Sequence, residues 1–316
     1  MATRSPPFVS AGQTGMMARL LRGAPLARRL RAETAAATAL LRERGRVDPV
    51  LATLLVGRDA AALAYRRSIE RALVAVGVGH RALDLAAETS QEQLVAQLRS
   101  LNDDRSVHGV LVLMPLPRHL PASLILEHLS PLKDVDGITP TNAGRLHLGL
   151  PSLRPSTPQG CIEILDHYAI PIAGQHVVVI GRSNVVGRPL ATMLSLRDAT
   201  VTLCHRQTED LATFTRAADI VAVAAGHPGL VRGDMLRPGS VVVDFGINVV
   251  ADGIVGDADA ATVREVAGAY TPVPGGTGPV TSIVLARNTV AAAFASLAGS
   301  LDEVEQIVPL SLDKGI

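Results

Sequence analysis

The chain has 316 residues, 47% hydrophobic and 19% charged, with a formal net charge of +1. That length exceeds one small core and points to two domains, and the near-neutral balance removes the electrostatic case for nucleic acid or an anionic membrane surface. Aromatic residues make up only 2%, so the core has to be built from Val, Leu, Ile and Ala.

From the N-terminus, residues 1–16 read as a disordered extension. There is no secretory h-region, and no apolar run reads as a membrane span. Leu26, Leu30, Ala37 and Leu41 recur at helical spacing, which predicts a first helix from Ala18 to about Arg44 with Gly45 as its stop. Val50 to Val56 reads as a buried strand, Ala61 to Val76 as a helix, and Arg81 to Leu85 as a short strand. Ser90 with Gln93 forms a capping box for a helix through Leu101, and Gly109 to Met114 is another all-apolar strand. The order βαβαβ implies a parallel α/β sheet.

Pro151, Pro155 and Pro158 mark the expected domain boundary. A helix over Gln159 to Tyr168 follows, then the strand Val177 to Ile180, a glycine-spaced turn, a helix to Leu196, and strands at Thr200 to Cys204, Ile220 to Ala224 and Val241 to Asp244. After the segment TPVPGGTGP at Thr271 to Pro279, an alanine-rich helix is expected from about Val280 to Leu297. The two cysteines, Cys161 and Cys204, lie far apart and match no metal spacing. This reading contains no metal site and fits a reducing compartment or simple indifference to redox state, and a cytoplasmic location is expected.

The turn GRSNVVGRP is the first chemical signal. Gly181 and Gly187 allow a tight turn and close approach of a pyrophosphate to the N–H groups of the next helix. Ser183 stands where the common dinucleotide fingerprint has its second glycine, so the turn alone also fits an ordinary strand-to-helix connection. The following strand ends in His205 and Arg206 without a carboxylate. A carboxylate there would bond a ribose 2′-hydroxyl, whereas arginine accommodates a 2′-phosphate. With Arg182 as a second cation, the expected cofactor is NADP.

Several segments together resemble one family. They are YRRSI at Tyr65 to Ile69, KDVDG at Lys133 to Gly137, TNAGRL at Thr141 to Leu146, RPSTPQG at Arg154 to Gly160, GRSNVVGRP and TPVPGGTGP. In unbroken order from about Ala18 to Leu297 they are similar to the methylenetetrahydrofolate dehydrogenase/cyclohydrolase family. The resemblance implies a two-domain α/β fold. An N-terminal catalytic, folate-binding domain would comprise 17–154 and 280–316. A Rossmann-like NAD(P)-binding domain with a parallel sheet would comprise 155–279, the whole closed by the C-terminal helix. It also implies a homodimer acting on tetrahydrofolate derivatives. Tyr65 would stack on the pterin and Asp136 would bond it, Gly275, Gly276 and Pro279 would line the folate site, and Ser183 and Ile247 would join the cofactor contacts.

One departure separates this chain from that pattern. The family has Tyr-x-x-x-Lys, with both side chains on one helix face and the lysine serving as acid and base. Here the lysine position is Ile69, and the position of the family's catalytic glutamine is Leu113. Ala62 replaces a serine often found before the tyrosine. Arg66, Arg67 and Arg71 keep their protons at neutral pH and are poor substitutes. The expectation is an NADP-dependent 5,10-methylenetetrahydrofolate dehydrogenase whose cyclohydrolase activity is absent or weak. A non-catalytic folate-binding paralogue, or a one-carbon enzyme of specialised metabolism acting on an altered substrate, remains open as an alternative.

Overall fold

The computed structural model describes residues 18–251 and 253–301. The expected extension over 1–16 lies outside them. In chain order the strands are β1 (Arg19–Leu20), β2 (Val50–Val56), β3 (Gly79–Leu85), β4 (Gly109–Val112), β5 (His176–Ile180), β6 (Thr200–Cys204), β7 (Ile220–Val223), β8 (Val241–Asp244), β9 (Asn248–Val250), β10 (Gly253–Val255) and β11 (Ala269–Tyr270). The helices are α1 (Gly23–Leu40), α2 (Ala60–Val74), α3 (Gln91–Asp103), α4 (Ser123–His128), α5 (Pro140–His147), α6 (Ser156–His167), α7 (Gly187–Ser195), α8 (Leu211–Ala217), α9 (Ala260–Val266) and α10 (Gly278–Ala298).

The described residues divide into two compact units, one containing Arg28–Ser156 and residues 282–301, the other Thr157–Thr281 with residues 18–27. In the first unit β3, β2 and β4 form a three-stranded parallel sheet in that order. β2 is central and carries almost no polar side chain, as expected of a strand covered on both faces. Leu54 and Val56 pack with Leu94, Leu98 and Leu101 of α3 and with Val110 and Val112 of β4. The Ser90–Gln93 capping box is formed at the start of α3.

In the second unit a six-stranded, all-parallel sheet runs β1-β11-β8-β7-β5-β6. From β5 the chain goes outward to β6 and then returns to β7 on the other side. That reversal makes the C-terminal edge of β5 a topological switch point, where ligands of such sheets bind. Its core joins Val178, Ile180, Val221, Val223 and Val242 with Val231 and Val263.

Three expectations change. Ala18 does not begin a helix: Arg19–Leu20 pairs with Ala269–Tyr270, and the helix starts at Gly23. Residues 18–27 therefore cluster with the six-stranded sheet and not with the first unit, and α10 has its first turn, through Thr281, in the same unit. A two-residue strand has no periodicity of its own and is defined by a partner far along the chain. Finally, α10 is long and apolar enough to cross a membrane, with 83% of its apolar window buried. Within its unit Asn288 on α10 donates to the carbonyls of Val135 and Arg154, both at 2.8 Å, as in a core helix.

Candidate active site

The cradle at the switch point is built from backbone crowding. Gly181 has φ 112°, and a Cβ there would lie 2.1 Å from the Ala224 carbonyl oxygen. A Cβ on Gly187 would lie 1.8 Å from the Gly181 carbonyl oxygen. Only glycine lets β5 turn this sharply into α7. Ser183 Oγ accepts the Val186 N–H at 3.1 Å, which closes the turn. No side chain caps α7 at Val186, so the first-turn N–H groups of this helix suit a pyrophosphate.

The sheet register places the two arginines. Ile180 pairs with Cys204, and the Gly181 N–H donates to the Cys204 carbonyl at 2.9 Å. Arg182 and Arg206 follow two residues beyond this pair on adjacent strand ends, and both are exposed. His205 is half-buried, its Nδ1 accepting the Gln207 N–H. Ile247, 71% exposed, follows β8 on the same sheet edge. Among the described residues no cluster of His, Cys, Asp and Glu suits a metal ion.

Asp257 is a member of this edge that sequence reasoning did not single out. It is fully buried and accepts the N–H groups of Ala225, Gly226 and His227 at 2.6 to 2.9 Å. It thus fixes the loop after β7 beside the cradle. The signal was the Gly256-Asp257 pair: a Cβ on Gly256 would lie 2.0 Å from the Asp244 Oδ2.

Gly275, Gly276 and Pro279 belong to the same unit. A Cβ on Gly276 would lie 2.6 Å from the Pro272 carbonyl oxygen, and a Cβ on Gly23 would lie 2.0 Å from the Gly276 carbonyl oxygen. The close packing expected of the loop is therefore met by its own unit. Gly275 and Pro279 are exposed, Pro279 in the first turn of α10, where a missing N–H costs nothing.

In the other unit, α2 carries Tyr65 at the edge of the face that buries Ala62 and Ile69. Asp59 caps the helix, accepting the Ala62 N–H at 2.8 Å. Tyr65 is 36% exposed, whereas Ile69, one turn along the same face, is fully buried. Leu113, just after β4, is 2% exposed. Ala62 is buried as well. Neighbouring cations are committed elsewhere: Arg66 pairs with Asp84, and the Arg71 Nε donates to the Arg67 carbonyl. Lys133 Nζ donates to the carbonyls of Leu101 and Asp104 at 2.8 and 2.7 Å.

The segment KDVDG holds two aspartates with different roles. Asp134 is fully buried and accepts the N–H groups of Ile138 and Thr139 and the Asn142 side-chain amide. It caps the turn, the ordinary role of a loop aspartate. Among the described residues Asp136 accepts only from Ser156, whose Oγ and N–H reach Oδ1 at 3.1 and 3.4 Å. Burial, helped by the nearby Asp134 charge, pushes the Asp136 carboxyl up to about 7, against the Ser156 hydrogen bonds. Desolvation, helped by the Asp136 charge, raises the Tyr65 phenol above its ordinary range. Ser156 itself was overlooked in the sequence, being one serine in a proline-rich turn.

A desolvated carboxyl with acceptor capacity left for an aminopyrimidine edge, near a phenol ring, suits a planar heterocycle. A glycine cradle at a switch point forms a dinucleotide site. Comparison with known proteins identifies the family. The family of tetrahydrofolate dehydrogenase/cyclohydrolase catalytic domains matches residues 21–136, and the corresponding NAD(P)-binding domain family matches residues 155–297. The bifunctional protein FolD of Chloroflexus aurantiacus is 51% identical over 278 residues, covering 88% of this chain and 98% of that protein. The crystal structure of the bifunctional enzyme FolD from Campylobacter jejuni is 43% identical with a TM-score of 0.85, covering 88% of this chain and 99% of that one. The Trypanosoma brucei methylenetetrahydrofolate dehydrogenase-cyclohydrolase, solved with NADP cofactor and inhibitor, is 35% identical with a TM-score of 0.85, covering 89% and 99%. The chain, with its catalytic and NAD(P)-binding domains, belongs to the tetrahydrofolate dehydrogenase/cyclohydrolase family.

Proposed function

We propose that this chain is an NADP-dependent 5,10-methylenetetrahydrofolate dehydrogenase that forms the 5,10-methenyl product and hydrolyses it slowly or not at all. The observation that carries the second half is Ile69: fully buried, one turn from Tyr65, with no atom that can carry a proton. Leu113 removes the other polar position. The relatives named above are called bifunctional, so the loss is a reading of this chain's own substitutions.

When bound, the nicotinamide supplies the hydride acceptor. The residues have to hold the partners face to face, which needs no side chain to take the hydride. Arg182 and Arg206 would hold a 2′-phosphate, with Gly181, Ser183, Gly187, His205 and Ile247 completing the cofactor contacts. The NADP-bound Trypanosoma brucei relative supports this choice over NAD. Asp136 would accept the N–H donors of the pterin and Tyr65 would cover its face. Gly275, Gly276 and Pro279 remain the folate-lining loop of this reading. Buried alkyl groups at positions 69 and 113 exclude water and move no proton.

The reading includes a cytoplasmic homodimer. The exposed apolar residues Val249, Val250 and Ile254 of the β9–β10 ribbon support association. Incubating the purified protein with 5,10-methylenetetrahydrofolate and NADP tests the activity. Methenyl product should accumulate and drain to the formyl product only at its spontaneous rate, and rapid enzymatic draining would overturn the assignment. Tight binding of both ligands without NADP reduction would favour a folate-binding protein without turnover, which the two aliphatic substitutions also fit.

A further inference from the structure

Asp257, fully buried just after β10, is the carboxylate on which the loops following β7 and β8 converge. We propose that Asp257 is a positioning residue for the nicotinamide half of the cofactor, holding those two loops while Arg182 and Arg206 serve the half that carries the 2′-phosphate. This rests on the NADP reading given above.

Four donors meet this carboxylate. The N–H groups of Ala225 and Gly226 reach Oδ2 at 2.6 and 2.8 Å. Oδ1 accepts the His227 N–H at 2.9 Å and the Asn248 side-chain amide at 2.8 Å. Three successive N–H groups in one turn make an anion-binding concavity. Here the chain's own carboxylate fills it, so these N–H groups are committed and phosphate binding falls to the start of α7. Asn248 follows Ile247 directly, so its bond to Asp257 also fixes the chain at Ile247. Asp257 is itself anchored, because its N–H and that of Gly246 go to Asp244 Oδ1 at 3.0 and 2.7 Å, and the Ala258 N–H goes to Oδ2 at 2.8 Å. A Cβ on Gly246 would lie 2.2 Å from the Asp257 backbone nitrogen, which leaves the two loops no slack. Sheet order assigns the half. A dinucleotide lies across the switch point with one half on each side. β6, followed by Arg206, lies on one side of β5, and β7 and β8 lie on the other. A 2′-phosphate held by Arg206 would therefore place the nicotinamide toward the loops that Asp257 holds.

The test compares two ligands by calorimetry on the full chain: NADP, and adenosine 2′,5′-bisphosphate, which carries the 2′-phosphate and no nicotinamide. Asp257→Asn keeps the shape, but an amide has one acceptor oxygen, so in either orientation its NH2 faces two of the four donors. Loosened loops should raise the Kd for NADP by about tenfold or more and leave that for the bisphosphate within about twofold. Asn248→Ala removes one donor and keeps the carboxylate. It should show the same selectivity in smaller measure, about threefold for NADP, and it decides the matter if Asp257→Asn does not fold. Equal weakening of both ligands would make Asp257 a merely structural residue, and unchanged NADP binding would remove it from the cofactor site. Either result overturns the proposal. A wild-type protein that binds neither ligand would refute the NADP reading itself, and the proposal with it.

Discussion

At Ile69 the side chain is fully buried, so a lysine introduced there would carry its ammonium into the interior unless it reached the polar end of the pocket. Burial disfavours the charged form and depresses the amine's pKa. Ile69→Lys alone should therefore lower the thermal midpoint, and together with Leu113→Gln it should raise methenyl hydrolysis above the spontaneous rate if the pocket still takes the ordinary folate. Product assays under both substitutions check this, and unchanged hydrolysis in a folded double variant would point to an altered substrate. Arg206 invites a cleaner measurement, because it is exposed and its structural role is small. A charge-assisted bond to phosphate contributes about 1.5–3 kcal/mol. Arg206→Ala should raise the KM for NADP by roughly 10- to 100-fold and leave that for NAD nearly unchanged. Equal effects on the two cofactors would remove Arg206 from the 2′-phosphate.

The elements that carry these residues were legible to different degrees. α3 announces itself by its cap, and the Ser90–Gln93 box forms as read, whereas the Asp59 cap of α2 was not singled out. β5 was equally clear, since four consecutive aliphatic residues ending at a glycine suit a strand covered on both faces. β1 and the β9–β10 ribbon were not read, because strands of two or three residues are fixed by their pairing and not by any pattern of their own. The cap of α2 bears on function through Tyr65. Asp59→Ala should cost about 1 kcal/mol, or roughly 2–4 °C in thermal midpoint, with α2 still formed. The strand-to-helix turn is less forgiving. A methyl on Gly187 has the Gly181 carbonyl oxygen at 1.8 Å, so Gly187→Ala has to move backbone. Its NADP affinity should fall at least tenfold while pterin binding by the other unit persists, which separate titrations of the two ligands would show.

For the molecule as a whole, the motifs marked the candidate site, but chemistry inside a motif was beyond them. Asp134 and Asp136 are two residues apart with the same side chain, and only the donors around each show that the first caps a turn and the second stays available. That difference reaches global stability through pH. Unfolded, an aspartate titrates near 4. Folded, burial pushes Asp136 up to about 7 and Asp244 up to about 6. Between those limits the native state holds more protons than the unfolded chain, so this contribution to stability falls as pH rises from about 4 to 7 and is level above. Burial of His80 and His108 lowers their pKa values, which acts in the opposite sense below about 6.5 because the unfolded chain then binds the extra proton. The raw pH profile therefore mixes two slopes. Comparison with Asp136→Asn isolates one of them, since asparagine imitates the protonated carboxyl and the histidines are common to both proteins. The variant's thermal midpoint minus that of wild type should increase from pH 5 to pH 7.5 by about 4 °C or more and stay constant at higher pH. A difference independent of pH would mean that Asp136 titrates as an ordinary surface carboxylate, and the desolvated pterin pocket would have to be abandoned with it.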